Sequence, residues 1–293
     1  MNCINNILDL IGNTPLYKIK NTNIYVKLES FNLTGSIKDR AVKQMLLNAN
    51  LKEGSTIIEP TSGNTGISLA CLCNLFNFRC IIVMNNSVTK ERIDFIKQYG
   101  AEIVLVDKEL GMQGCIDKAK DLCLQIKDSY ILDQFNNKSN VEAHYLYTGK
   151  EIYEQMGGNI DYFVAGIGTG GTISGVGKYL KEKNKNIKVI GIEPSKSSTI
   201  TTGLKQSHTI YGIGAGFIPS ILDKKVIDNI YLVDEIDAYS MTKKFIKEEG
   251  ILVGVSSGAA LSVAYKLQEL YGKDKRIVCV LPDSGNRYFS ILN

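Results

Sequence analysis

The chain has 293 residues, of which 44% are hydrophobic and 22% charged, and 34 basic against 30 acidic side chains leave a net charge of +4. That balance is globular and excludes a disordered chain, a collagen-like fibre and a small disulfide scaffold, while the length suits one large domain or two modest ones with an ample core. No eighteen-residue apolar run exists, because Asn74, Asn77 and Arg79 interrupt the nearest stretch, and the first residues lack the basic-then-apolar order of a signal peptide, so a cytoplasmic chain without a membrane span is expected.

In chain order, Ile57-Ile58-Glu59 reads as a strand followed by a helix from Gly63 to Asn77. Cys80 to Met84 is strand-like and Thr89 to Tyr99 helical; Ile103 to Val106 is strand-like and Met112 to Lys127 helical. Further on, Tyr162 to Ala165 leads into a helix over Gly171 to Lys183, and Val189 to Ile192 follows as a strand. Ala238 to Glu249 and Ser257 to Tyr271 read as helices and Arg276 to Leu281 as a last strand. Short apolar strands between helices of this length predict mostly parallel sheets covered on both faces, an α/β doubly wound plan. The pattern supports two such sheets, with a seam near Asn136 to Val141 where the apolar rhythm breaks.

The seven cysteines include no C-x-x-C pair and read as buried small hydrophobes. His144 and His208 are the only histidines, so no metal site is expected. The lysines from Lys178 to Lys188 read as a solvated helix end and loop, with no nucleic-acid partner implied. With so few catalytic side-chain types, hard chemistry in this chain calls for an organic cofactor.

Five segments could carry it. Gly166-Ile167-Gly168-Thr169-Gly170-Gly171 fits G-x-G-x-x-G after a strand, with Glu193 at roughly the 20-residue spacing of a dinucleotide fingerprint. The narrower physical reading is a phosphate cradle, because a glycine turn exposes N–H groups at a helix N-terminus. Thr61-Ser62-Gly63-Asn64-Thr65-Gly66, also between a strand and a helix, offers hydroxyls, an amide and backbone donors that suit a carboxylate, a phenolate or a phosphate, although an ordinary N-cap reads the same way. Lys38 opens a helix after the turn-rich Glu29 to Ile37 segment; a single lysine is ordinarily a solvated charge, but a helix N-terminus disfavours a cation and eases deprotonation or Schiff-base formation. Ser256-Ser257-Gly258 is a hydroxyl-bearing turn whose default reading is helix capping, and Gly212 to Pro219 is a glycine loop that could line a cleft or serve as a linker.

Together with Asn13-Thr14-Pro15-Leu16, these segments stand in an order and spacing that closely resembles the cysteine synthase (O-acetylserine sulfhydrylase) and cystathionine β-synthase family, from about Ile7 to Ser290. The resemblance implies the tryptophan synthase β-subunit-like fold of the type II pyridoxal 5′-phosphate enzymes. In that fold a smaller domain over 35–138 and a larger one over 139–293, joined by 1–34, carry the cofactor in the cleft between them. It implies that Lys38 holds the cofactor as an aldimine, that Gly168, Thr169, Gly170, Gly171 and Thr172 bind its phosphate, that Asn64 bonds the ring O3′, and that Ser256 faces the pyridine nitrogen. It further implies that Thr61, Ser62, Gly63 and Thr65 with Gln134 hold the substrate α-carboxylate, with Gly212 also on the substrate side. A nicotinamide oxidoreductase would leave the Lys38, Asn64 and Ser256 segments unexplained, and a non-catalytic protein on this fold would be expected to have lost Lys38.

The implied reaction is β-replacement through an aminoacrylate, making L-cysteine and acetate from O-acetyl-L-serine and sulfide. The alternative fills the same intermediate from cysteine and releases hydrogen sulfide, with a desulfhydrase, lanthionine or cystathionine outcome. The family also implies a homodimer and, in some members, a serine acetyltransferase C-terminal tail as partner. This chain departs from the family at Leu33, where proline is usual, and in the Met84 to Ile93 and Gln134 to Asn140 segments, which bear on the second substrate.

Overall fold

A computed structural model describes residues 3–61, 63–88 and 90–288. In chain order the strands are Leu16–Lys18 (β1), Ile24–Leu28 (β2), Thr56–Pro60 (β3), Arg79–Asn85 (β4), Glu102–Val106 (β5), Ser129–Ile131 (β6), Tyr162–Gly166 (β7), Lys188–Pro194 (β8), Asn229–Val233 (β9) and Ile277–Leu281 (β10). The helices are Lys38–Asn48 (α1), Asn64–Leu75 (α2), Lys90–Gln98 (α3), Gly111–Gln125 (α4), Lys138–Ala143 (α5), Lys150–Gln155 (α6), Gly171–Lys183 (α7), Glu235–Glu249 (α8) and Val255–Tyr271 (α9). Between α5 and α6 the chain stays helical through a π turn, His144–Gly149.

The chain divides into two compact units: Met1–Ile37 with Asn140–Asn293, and Lys38–Ser139. The larger is built on a six-stranded sheet of order β1-β2-β10-β7-β8-β9. Only the β1–β2 pair is antiparallel; β2, β10, β7, β8 and β9 run parallel. The smaller has a parallel four-stranded sheet of order β5-β4-β3-β6. Each unit is therefore a mostly parallel α/β layer structure, as the alternation of strands and helices predicts.

The central strands explain the apolar runs. Every residue of β10 (Ile-Val-Cys-Val-Leu) is buried, because a parallel strand in mid-sheet is covered on both faces. On one face α9 is buried along most of its length, and Leu261, Ala264 and Leu267 pack with Val26, Val164 and Cys279. On the other face Ile173, Val176 and Leu180 of α7 pack with Phe163, Val189 and Val278. In the smaller unit Cys115 and Ala119 of α4 cover Ile58, Ile81 and Val83. Five of the seven cysteines are buried among such residues, and the described cysteines are all free thiols.

Four strands, β1, β2, β6 and β9, have no counterpart in the sequence reading. Three are short or lie at a sheet edge, and β2 carries Lys27 among its apolar residues. Lys27 is fully buried, held by the Thr14 carbonyl at 2.7 Å, Gln155 Oε1 at 2.8 Å and the Glu151 carboxylate at 2.8 Å. A lysine paired on all sides looks polar in sequence and behaves as core in the fold. The Asn136 to Val141 segment enters a helix, α5, and Thr89, the expected start of α3, lies outside the described residues. Within the Lys178 to Lys188 run, Tyr179 packs edge-on against Tyr145 and Tyr153, while Lys181 pairs with Asp228.

Candidate active site

In the smaller unit, β3 ends at Pro60 and the chain turns through the Thr61 loop into α2, whose first residues are Asn64 and Thr65. Thr61 and Thr65 are buried; Ser62 lies outside the described residues. Gly63 is the N-cap, in extended backbone without a capping side chain, so the loop supplies no side-chain cap of its own. Thr65 Oγ1 donates to Gln134 Oε1 at 2.8 Å, a buried pair that brings two of the expected carboxylate-binding residues together. With its oxygen occupied, the other polar group of the Gln134 amide is Nε2, a donor of the kind a carboxylate requires.

Lys38 is the first residue of α1 and half-buried. Its neighbour Asp39, fully buried, accepts a short hydrogen bond from Ser68 Oγ. Ser68 lies one turn beyond Asn64 and Thr65 on α2, so this bond pins the start of α1 to the start of α2. A lysine and a donor-rich loop thus share one end of two packed helices, in an arrangement that the motifs suggest only separately.

In the larger unit, β7 feeds the glycine loop into α7. Gly170 is left-handed, with φ 84°, and α7 begins at Gly171. Thr169 Oγ1 accepts from Asn140 Nδ2 at 3.0 Å and from the Gly171 N–H at 3.3 Å. Thr172 Oγ1 shares a hydrogen bond with His144 Nε2 at 3.2 Å, and His144 Nδ1 shares another with Thr148 at 3.0 Å. Asn140 and His144, one turn apart on the helix that runs into the π turn, therefore back the two threonines of the loop. Sequence reasoning missed both, and only their spacing on one helix face would have hinted at it.

The loop has no spare room. A methyl on Gly168 would lie 2.2 Å from the Gly212 carbonyl oxygen, and one on Gly171 would lie 2.1 Å from Asn140 Oδ1. Gly212 is thereby placed against Gly168, and the Gly214 N–H fixes that approach by donating to the Ile167 carbonyl at 2.9 Å. Among the described residues nothing accepts from the N–H groups of Thr169, Gly170 or Thr172. Several unspent N–H groups at the start of a thirteen-residue helix make a donor set for a phosphate. Glu193, the acid a dinucleotide ribose would need, accepts instead from the Ile200 and Thr201 N–H groups at 2.8 and 3.1 Å, so its carboxylate is spent on its own turn.

Ser256 lies in the first turn of α9, 4% exposed, with no hydrogen-bond partner among the described residues. The adjacent Ser257 hydroxyl is fully buried and also unpartnered among them. The Ser256 hydroxyl, with no such partner, can both donate and accept and so suits a ligand atom such as a heterocycle nitrogen. The expected residues thus fall into two sets. Gly168, Thr169, Gly170, Gly171, Thr172, Gly212 and Ser256 belong to the larger unit; Lys38, Thr61, Gly63, Asn64, Thr65 and Gln134 belong to the smaller. Among the described residues no group of acidic, histidine and cysteine side chains is arranged to hold a metal ion, and no helix is long and apolar enough to cross a membrane.

Comparison with known proteins identifies the family. Residues 7–283 match the family described as pyridoxal-phosphate dependent enzyme. A probable cysteine synthase of Bacillus subtilis is 46% identical over 298 residues, covering 97% of this chain and 96% of the relative. Among solved structures, an O-ureido-L-serine synthase superposes with a TM-score of 0.96 at 36% identity, covering 99% of this chain and 95% of the other. A hydrogen sulfide-producing enzyme from Fusobacterium nucleatum superposes with a TM-score of 0.92 at 38% identity, covering 98% of this chain and all of the other.

Proposed function

This chain belongs to the family of pyridoxal-phosphate dependent enzymes, and we propose that it replaces the β-substituent of an amino acid with sulfide, making L-cysteine and acetate from O-acetyl-L-serine. The observation that carries this reading is the Asp39–Ser68 bond, which joins the helix opened by Lys38 to the helix whose first turn bears Thr65, itself bonded to Gln134. A base for the α-proton and a site for the α-carboxylate are the two things such an amino acid needs from the protein.

When bound, pyridoxal phosphate supplies an electron sink for the amino acid's α-carbon. Gly168, Thr169, Gly170, Gly171 and Thr172 hold its phosphate through the N–H groups at the start of α7, with Asn140 and His144 fixing the two threonine side chains. Asn64 would donate to the ring O3′, and Ser256 would serve the ring nitrogen. A neutral hydroxyl there leaves the ring nitrogen without the enforced proton that a carboxylate would give, which favours departure of the β-substituent over transamination. Lys38 would tether the cofactor, and its Nζ is the base that would take up the α-proton. In this reading Thr61, Ser62, Gly63, Thr65 and Gln134 would hold the α-carboxylate, with Gly212 as a further substrate-binding residue. The net replacement exchanges the Cβ–O bond to acetate for a Cβ–S bond to sulfide, and the proton held on Lys38 Nζ would return to the α-carbon. The functional unit in this reading is a homodimer, which sedimentation would check, and the C-terminal tail of serine acetyltransferase is its candidate protein partner.

The likeness to the hydrogen sulfide-producing enzyme favours a second reading, in which cysteine is the substrate and sulfide the leaving group. Steady-state turnover separates the two. The first reading expects O-acetyl-L-serine plus sulfide to be consumed much faster than cysteine alone, and faster sulfide release from cysteine would overturn it. Holoenzyme should absorb in the visible, and Lys38→Ala should lose that band along with at least about a hundredfold in rate. Wild-type protein that stays colourless and inactive after cofactor addition would sink the assignment.

A further inference from the structure

The smaller unit contains a fully buried carboxylate that the reaction does not use. Glu59 is the penultimate residue of β3, 1% exposed. Its neighbour in the sheet, β6, pairs as far as Ile131 and then leaves the ladder. Where the backbone ladder stops, the Glu59 side chain takes over as acceptor. The N–H of Asp133 donates to Oε2 at 3.1 Å and the N–H of Gln134 to Oε1 at 3.3 Å, with the Leu132 backbone also against it. Asp133 has φ 52°, the left-handed region that a side chain rarely adopts. Such a conformation persists only where its surroundings over-determine it. The turn is held on its far side as well, since the N–H groups of Asn136 and Asn137 donate to the Asp133 carbonyl and Asn137 Nδ2 to the Leu132 carbonyl.

The residue that this turn delivers is Gln134, whose side chain meets Thr65. We propose that Glu59 is a positioning residue for the amino-acid substrate: its carboxylate clamps the 132–134 turn so that Gln134 is presented beside Thr65 to the substrate's α-carboxylate. The proposal rests on the reading of Thr65 and Gln134 as carboxylate binders given above. Two features call for a carboxylate at this position and not merely for a side chain of that size. Two N–H groups converge on it, and only a carboxylate offers two acceptors with no donor. A glutamine of the same shape would turn an N–H towards one of those donors, leaving it unsatisfied.

The test uses holoenzyme at pH 8. Glu59→Gln should raise the KM for the amino-acid substrate by about tenfold, the loss expected for one buried hydrogen bond to a charged group. The kcat, the KM for sulfide and the visible cofactor band should stay close to wild type. Glu59→Asp, which keeps the charge but is one methylene shorter, should fall between the two. Independently of turnover, calorimetric titration with L-alanine, which has no β-leaving group, should show the same loss of affinity, and the Asp133 and Gln134 amides should exchange hydrogen faster in Glu59→Gln. If Gln134→Ala and Thr65→Ala weaken L-alanine binding but Glu59→Gln does not, the Glu59 proposal is overturned. If none of the three weakens it, the carboxylate-site reading itself falls. A drop in kcat with unchanged KM in Glu59→Gln would also refute a positioning role.

Discussion

Replacing Gly168 by alanine tests the phosphate cradle most directly. The new methyl would sit 2.2 Å from the Gly212 carbonyl oxygen and 3.3 Å from its carbon. Comfortable non-bonded contact needs about 3.5 Å, so one loop must retreat by roughly an ångström. The obstacle is backbone, and the Gly214 N–H holds that backbone to the Ile167 carbonyl at 2.9 Å. Overpacking of this kind costs about 1–3 kcal/mol. In a unit of this size each kcal/mol lowers Tm by about 2–4 °C, so the expected fall is about 2–12 °C. The same retreat moves the Thr169 and Gly170 N–H groups, and losing one charge-assisted hydrogen bond of about 1.5–3 kcal/mol weakens cofactor binding roughly 10- to 100-fold. Thermal unfolding with and without added pyridoxal phosphate reads the first effect, and titration of the visible band reads the second. Gly63→Ala is the control: its backbone is extended, with φ −114°, and a methyl there meets nothing within 4 Å, so its Tm should stay near wild type. Wild-type stability and cofactor affinity in Gly168→Ala, or equal damage from Gly63→Ala, would refute the reasoning.

Three further expectations follow from other sites. Lys27→Met leaves Glu151, Gln155 and the Thr14 carbonyl facing a thioether; urea unfolding should show a loss of about 3–5 kcal/mol, as for other broken buried pairs. Ser256→Ala removes a hydroxyl with no partner among the described residues, so apoprotein Tm should hold while the absorbance of the bound cofactor shifts. Burial pushes the Glu59 carboxyl from 4.5 up to about 7, against the lowering effect of its backbone donors. The native state then binds more protons than the unfolded chain between those values, so the contribution of Glu59 to stability is present below about 4.5 and lost as pH rises through about 7. That loss is about 3 kcal/mol by linkage. Denaturant titrations from pH 4.5 to 7.5 should show it in wild type and not in Glu59→Gln, and parallel curves would contradict it.

What could be read in the sequence is what glycine, hydroxyl and apolar patterns encode locally. The strand–turn–helix units around Thr61 to Gly66 and Gly168 to Thr172 carry their own punctuation, and helices such as Gly171–Lys183 follow from period and cap. The supporting groups were not legible, because each acts on a residue far away in the chain. Asn140 and His144 support a loop that begins after β7, and Glu59 reaches a turn beyond β6. Lys27 was hidden for the opposite reason: its charge argues for the surface, and only the three partners gathered round it explain why it is core. The short strands β1 and β6 hold too few residues to show an alternation.

The sheet order also has a consequence for synthesis on the ribosome. Among the described residues β2 has only β1 and β10 as neighbours, and Ile24 pairs with Ile277. The Lys38–Ser139 segment is continuous and can close its four-stranded sheet as soon as it has emerged. β2 cannot: Ile24, Val26 and Leu28 must wait, apolar and unpaired on one edge, until Ile277–Leu281 has been translated. Pairing at such sequence separation is slow and exposes a sticky edge in the interim. The time the nascent chain spends vulnerable to aggregation is therefore set by the rate of elongation as much as by the rate of folding.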